Sequence, residues 1–153
     1  MYAVIRIRGE VGTTKELKYA LKLLRLHKVN HLVLVAENKQ NKNTLKKWGD
    51  YLTYGEIDEP ALGKLIGKRA RLSGNKRIDE KFLKEKGFKN LNDLAREIIS
   101  GKKRLQDLGI KPVFRLTPPK KGYERAGIKK SYHVGGALGY RAAGINKLIL
   151  KMI

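Results

Sequence analysis

Tyr2-Ala3-Val4-Ile5-Arg6-Ile7-Arg8 alternates strictly: Ala3, Ile5 and Ile7 share one face, and Val4, Arg6 and Arg8 the other. That period of two predicts a strand with one buried face and charge on its second. A turn over Gly9–Gly12 follows. Thr13 or Thr14 then starts a helix, with Glu16 in the first turn where the helix dipole favours an acid. Leu17, Ala20, Leu21 and Leu24 recur at i, i+3, i+4 and i+7 and form one apolar stripe. Leu32–Ala36 is a continuous apolar run, which predicts a strand covered on both faces. Asn38–Asn43 reads as a polar loop. Asn43 or Thr44 is placed to cap a short second helix carrying Leu45 and Trp48, with Gly49 at its end. Leu52–Ile57 is a third strand. The order is βαβαβ within sixty residues, and two helices on one face of a small sheet bury those stripes economically.

The remainder changes character. Asp58-Glu59-Pro60 is a helix start, and Ala61, Leu62, Leu65 and Ile66 form that helix's apolar side. Asp79 opens another helix. Leu91, Leu94, Ala95, Ile98 and Ile99 mark a third, stopped by Gly101. Residues 112–139 are rich in Lys, Arg, Gly and Tyr, show little apolar periodicity and contain one acid, Glu124. Such a segment buries too little apolar surface to fold alone but suits a polyanion. Ile145, Leu148, Ile149 and Met152 then repeat at helical spacing, so the last nine residues are expected to dock as a helix. The fold class is α+β: a βαβαβ core over residues 1–58, then over residues 59–153 a helical segment, an irregular basic Gly/Tyr-rich extension over 112–139 and a docked terminal helix.

The 153 residues carry a net charge of +21. A polyanionic partner relieves the self-repulsion of that charge, and nucleic acid is the usual one. No apolar run reaches the ~20 residues of a membrane helix. Cysteine is absent, which removes disulfides, thiolate zinc sites and thiol catalysis, and fits a reducing cytoplasm. His27 and His31 have i, i+4 spacing but lack a zinc protease's intervening glutamate, so neither a metal nor a catalytic role is expected. No nucleophile, acid–base pair or phosphate loop emerges, and no cofactor is called for.

Candidate RNA contacts follow from charge clusters and from aromatic and glycine residues among them. Lys120, Lys121, Tyr123 and Arg125 form the first group, and Lys129, Lys130, Tyr132 and His133 the second. Gly135, Gly136 and Gly139 would let backbone approach RNA closely, beside Tyr140, while Arg141 holds a phosphate. Turn geometry competes as an explanation for each glycine, and packing onto the core for each tyrosine. Lys68, Arg69, Arg71, Lys76 and Arg77 form a dense cluster in an acid-free stretch. Lys42, Lys46 and Lys47 are a secondary cluster beside Trp48, itself expected in the core. Lys15, Lys18, Lys22 and Arg25 read as a solvated face.

The opening Y-A-V-I-R-I-R-G (2–9), L-K-Y-A-L-K-L-L-R-L (17–26) and V-G-G-A-L-G-Y-R-A-A-G-I-N-K-L-I-L-K-M-I (134–153) resemble archaeal members of the large-subunit ribosomal protein family numbered thirty, whose eukaryotic counterpart is numbered seven. The resemblance spans the chain, and residues 1–58 are similar to the short bacterial version. Eukaryotic relatives tend to have G-N-R where this chain has Gly139-Tyr140-Arg141, so Gly139 and Arg141 carry over and Tyr140 does not. The resemblance implies a ferredoxin-like core and a structural, non-catalytic role in the cytoplasmic large ribosomal subunit. It also implies binding to large-subunit ribosomal RNA, contact with 5S ribosomal RNA and neighbouring ribosomal proteins as partners.

Overall fold

The computed structural model describes residues 1–88 and 90–153, without the side chains of Glu80 and Lys81. Its first half follows the alternation. Strand β1 (Tyr2–Arg6), helix α1 (Lys15–Leu23), strand β2 (His31–Val35), helix α2 (Lys39–Lys47) and strand β3 (Leu52–Glu56) come in that order. Thr14 caps α1, its hydroxyl accepting from Leu17 N–H at 3.4 Å. Helix α2 begins well before the expected cap at Asn43 or Thr44, so Asn38–Asn43 is the cap and first turns of a helix, not a loop. Those turns carry no apolar residue, and the helix is held by Leu45 alone in the core.

Helices α3 (Glu59–Arg69), α4 (Glu80–Glu85), α5 (Leu91–Ile99) and α6 (Gly144–Met152) follow, with two very short strands between α5 and α6. These are β4 (Val113–Arg115) and β5 (Gly139–Tyr140). They correct the expectation of an irregular extension. Strand β4 pairs antiparallel with β2, and β5 parallel with β3. The sheet order is β4-β2-β1-β3-β5, so both edges of the first three strands are closed by the extension.

Strand β1 lies at the centre. Ala3, Ile5 and Ile7 pack with Leu32 against α3, α5 and α6. Tyr2 and Val4 pack with Val33, Leu52 and Tyr54 against Leu17, Leu21 and Leu45 of α1 and α2. The two predicted helices therefore share one face as expected, and the later helices cover the other. Residues 1–58 and 59–153 contribute to one shared core.

The second face of β1 is not a charged surface, because α1 and α2 close over it. Arg6 is 2 % exposed. Burying a guanidinium requires that its donors be satisfied. Its Nε donates to Arg8 O, and its Nη1 to Leu26 O and His27 O, each at 2.9 Å. Its Nη2 faces Glu10 Oε2 at 3.4 Å. The residue thus fastens the loop after α1.

Helix α6 approaches β3 closely at Gly55. A Cβ there would collide with the carbonyl of Ala142 and lie 3.1 Å from Ile145 Cβ. Because backbone cannot retreat as a side chain does, Gly55→Ala is expected to cost about 1–3 kcal/mol. Urea unfolding should show a lowered midpoint with an unchanged slope; an unshifted midpoint would mean that α6 is not packed this tightly.

Candidate nucleic-acid interface

The extension folds by its own backbone bonds. Ala126 N–H donates to Gly135 O at 3.1 Å, Ala137 N–H to Gly127 O at 3.0 Å, and Tyr132 N–H to Leu138 O at 2.8 Å. It needs no apolar stripe of its own because it is anchored to the sheet by β4 and β5 and to the core by Leu116 and Leu138. The glycines serve this fold. Gly135 and Gly139 have φ near +80°, where a side chain is strained. Gly136 is buried, and a Cβ on it would strike the carbonyl of Lys130. Its close approach is to this chain, not to RNA.

Arg141 is the clearest correction. It is 3 % exposed and faces inward. Its Nη1 donates to Glu124 Oε1 at 2.6 Å and its Nη2 to Glu124 Oε2 at 3.3 Å. Nε donates to Thr53 Oγ1 at 2.8 Å, Nη2 also to Ala137 O at 2.8 Å, and the guanidinium sits 4.6 Å from the Tyr132 ring centre. Every side of the fork is engaged, so no phosphate reaches it. Glu124 is the only acid of the segment, and Arg141 consumes it. Burial alone would raise the Glu124 carboxyl, but the bonds from Arg141 outweigh it and hold the group below the usual carboxylate range. An unfolded carboxyl titrates at its ordinary value, about 4.5. The stabilisation is therefore complete above that pH and lost as pH falls through the lower, folded value. Thermal midpoints taken across the acid range should fall less steeply in Glu124→Gln than in the unaltered chain. Parallel curves would place the acid sensitivity elsewhere.

Other candidates are also structural. Arg69 donates to Ile153 O at 2.9 Å and Thr117 Oγ1 at 3.1 Å, pinning the end of α6. The Tyr123 hydroxyl donates to Asn30 Oδ1 at 2.9 Å with its ring against the core. Tyr132 lies beneath Arg141. Lys47 is exposed but paired with Glu16 at 3.3 Å and stands 4.8 Å from the Trp48 ring centre. Trp48 packs, as expected, against the α1–α2 side of the core.

What faces outward is cationic. Lys120, Lys121, Arg125, Lys129 and Lys130 are exposed, and among the described residues none is in an ion pair. Lys121 is held at φ 64°, a conformation that costs a non-glycine residue of order 1 kcal/mol or more and recurs at functional sites. Lys68, Lys76 and Arg77 are exposed too. Arg71 lines a cleft of about 250 Å³ with Arg69, Asn75, Lys111 and Arg115. No carboxylate lines it among the described residues. Lys111 and Arg115 were not among the expected RNA-binding residues. Strand β4 buries Phe114 and turns Arg115 outward, an alternation over three residues that is too short to be read from the sequence.

A second groove joins residues far apart in sequence. Lys42 and Lys46, one turn apart on α2, meet His133 and Tyr140 of the extension there, over about 510 Å³. The Tyr2 and Tyr54 rings lie 6.0 Å apart, and Tyr54 and Tyr140 5.5 Å apart. The Tyr140 hydroxyl donates to Glu56 Oε1 at 2.7 Å. Burial, then the facing Glu37 carboxylate, pushes the Tyr2 phenol up to about 12.

Comparison with known proteins assigns this scaffold. The family model described as ribosomal protein L30p/L7e matches residues 2–52. The large ribosomal subunit protein uL30 of Methanococcus vannielii is 51% identical over 152 residues, covering 99% of each chain. That of Nanoarchaeum equitans is 47% identical over 153 residues, covering 100% of this chain and 99% of its own. That of Thermofilum pendens is 46% identical over 155 residues, with the same coverage. The chain belongs to the ribosomal protein L30p/L7e family. It is by that membership a structural ribosomal protein and not an enzyme. The family model ends at the start of β3, while the match to the archaeal relatives runs through β4, β5 and α6. Among the described residues no helix is long and apolar enough to cross a membrane, and no His/Asp/Glu group is arranged to hold a metal.

Proposed function

We propose that this chain, in the large subunit of the cytoplasmic ribosome, binds large-subunit ribosomal RNA along its phosphate backbone and thereby supports assembly and translation. One observation carries the reading: the segment's only acid is turned inward onto Arg141, so the charge the extension loop offers to a partner is positive. Lys120, Lys121, Arg125, Lys129 and Lys130 on the loop, and Lys111, Arg71 and Arg115 at the β4 edge, supply the phosphate contacts. Sequence-independent contacts suit structured RNA, whose narrow A-form major groove hides the base edges and leaves phosphates, 2′-hydroxyls and shape to be recognised. The resemblance of the whole chain to archaeal members of the family extends the reading to 5S ribosomal RNA. Neighbouring ribosomal proteins complete the surroundings.

Filter binding at matched salt, with large-subunit RNA, 5S RNA and duplex DNA as probes, tests it. Tighter binding to both ribosomal RNAs than to DNA is expected. Equal affinity for the DNA at every salt concentration would overturn the reading.

A further inference from the structure

The groove between α2 and β5 differs chemically from the other cationic surfaces. The loop and the β4 cleft offer positive charge alone. This groove offers lysines at one side, phenol rings along its floor and the carboxylates of Glu37 and Glu56. Carboxylates repel a phosphate, so a purely anionic ligand does not fit the whole groove, and an acidic peptide fits it no better. A nucleotide does: its phosphate suits Lys42 and Lys46, its base has a π face for the rings, and its amino and hydroxyl hydrogens need acceptors. The volume, about 510 Å³, lies within the range of small-ligand sites.

The aromatic platform is preset. Tyr140 is held by its bond to Glu56 and by the ring of Tyr54, and is still 39 % exposed. A ring fixed before binding loses little freedom when a base stacks on it. We infer that this groove takes one unstacked nucleotide of the bound RNA, its base lying on Tyr140 and its phosphate between Lys42, Lys46 and His133. A fully paired helix cannot supply such a base, so the site selects a bulged or flipped nucleotide. The inference rests on the RNA-binding reading above.

The test uses the full chain and two RNA hairpins of equal charge, one fully paired and one with a single bulged nucleotide. The unaltered chain should prefer the bulged hairpin by roughly ten- to a hundredfold, the usual strength of one base–aromatic stack. Tyr140→Ala should erase that preference while leaving the paired hairpin's affinity and salt dependence unchanged, and Tyr140→Phe should keep it. A 2-aminopurine placed at the bulge reports stacking without any substitution, and its fluorescence should be quenched when the unaltered chain binds. Equal binding of the two hairpins, or an unquenched 2-aminopurine, would overturn the inference and leave backbone binding standing. Failure to bind either hairpin would overturn the RNA-binding reading, and the groove proposal with it.

Discussion

Glu124→Ala is expected to lower the unfolding free energy by roughly 3 kcal/mol, the lower end for breaking a buried ion pair, and the melting temperature by roughly 6–12 °C. The cause is asymmetric. Arg141 is 1 % exposed by its side chain and Glu124 28 %. Deleting the carboxylate leaves a buried guanidinium with only Thr53, Ala137 and the Tyr132 ring as partners. Water reaches the Glu124 side, which keeps the loss near the lower end. Removing both charges should cost less than removing one, because a buried pair is roughly neutral against an apolar replacement of similar volume. The double variant Glu124→Leu with Arg141→Met is therefore expected to melt above the Glu124→Ala variant. A double variant no more stable than the single would mean that the pair's geometry, rather than the stranded charge, dominates.

Replacing Lys120, Lys121, Arg125, Lys129 and Lys130 together with glutamine is expected to leave melting within about 1 °C, since exposed unpaired charges contribute little to stability. The effect falls on RNA. Each phosphate deprived of its cation should flatten the dependence of log affinity on log salt by ~0.7–0.9, so the full set of substitutions removes about four units of slope. Affinity at low salt should drop by orders of magnitude and converge with that of the unaltered chain as salt rises. Glutamine at Lys15, Lys18, Lys22 and Arg25, on and just after α1, is the control and should leave the slope unchanged. A slope carried by α1 instead would relocate the interface away from the extension.

The βαβαβ order is legible in the sequence because β1 alternates cleanly and α1 carries a full apolar stripe. Strands β4 and β5 are not. They span three and two residues, too short for periodicity to register, and they exist because β2 and β3 offer open edges to pair with. That choice is made by residues distant in the chain. The start of α2 is hidden because Lys39–Asn43 carries no apolar residue. Arg6 looks solvated because alternation gives a face but does not reveal whether a second layer covers it.

At the interface, the exposed cations are legible by composition alone, and the inward-facing residues are not. Arg141 and Glu124 are seventeen residues apart. The one hint is a lone acid in a basic segment, which asks for a specific partner. The glycines and Tyr123 read equally well as RNA contacts or as parts of a turn and core, and only the backbone angles and the bond to Asn30 distinguish those roles. Lys42, Lys46, His133 and Tyr140 belong to separate clusters along the chain. Their meeting in one groove depends on β5 pairing with β3 beside the end of α2, which no local pattern announces.

Whether the outward cations of the extension grip ribosomal RNA is tested most directly by protein–RNA crosslinking in intact large subunits carrying this chain, with crosslinked peptides identified by mass spectrometry. Crosslinks should concentrate on residues 120–130 and on Lys111 to Arg115, and be absent from Lys15, Lys18 and Lys22. Crosslinks confined to α1, or an extension loop free of them throughout, would contradict it.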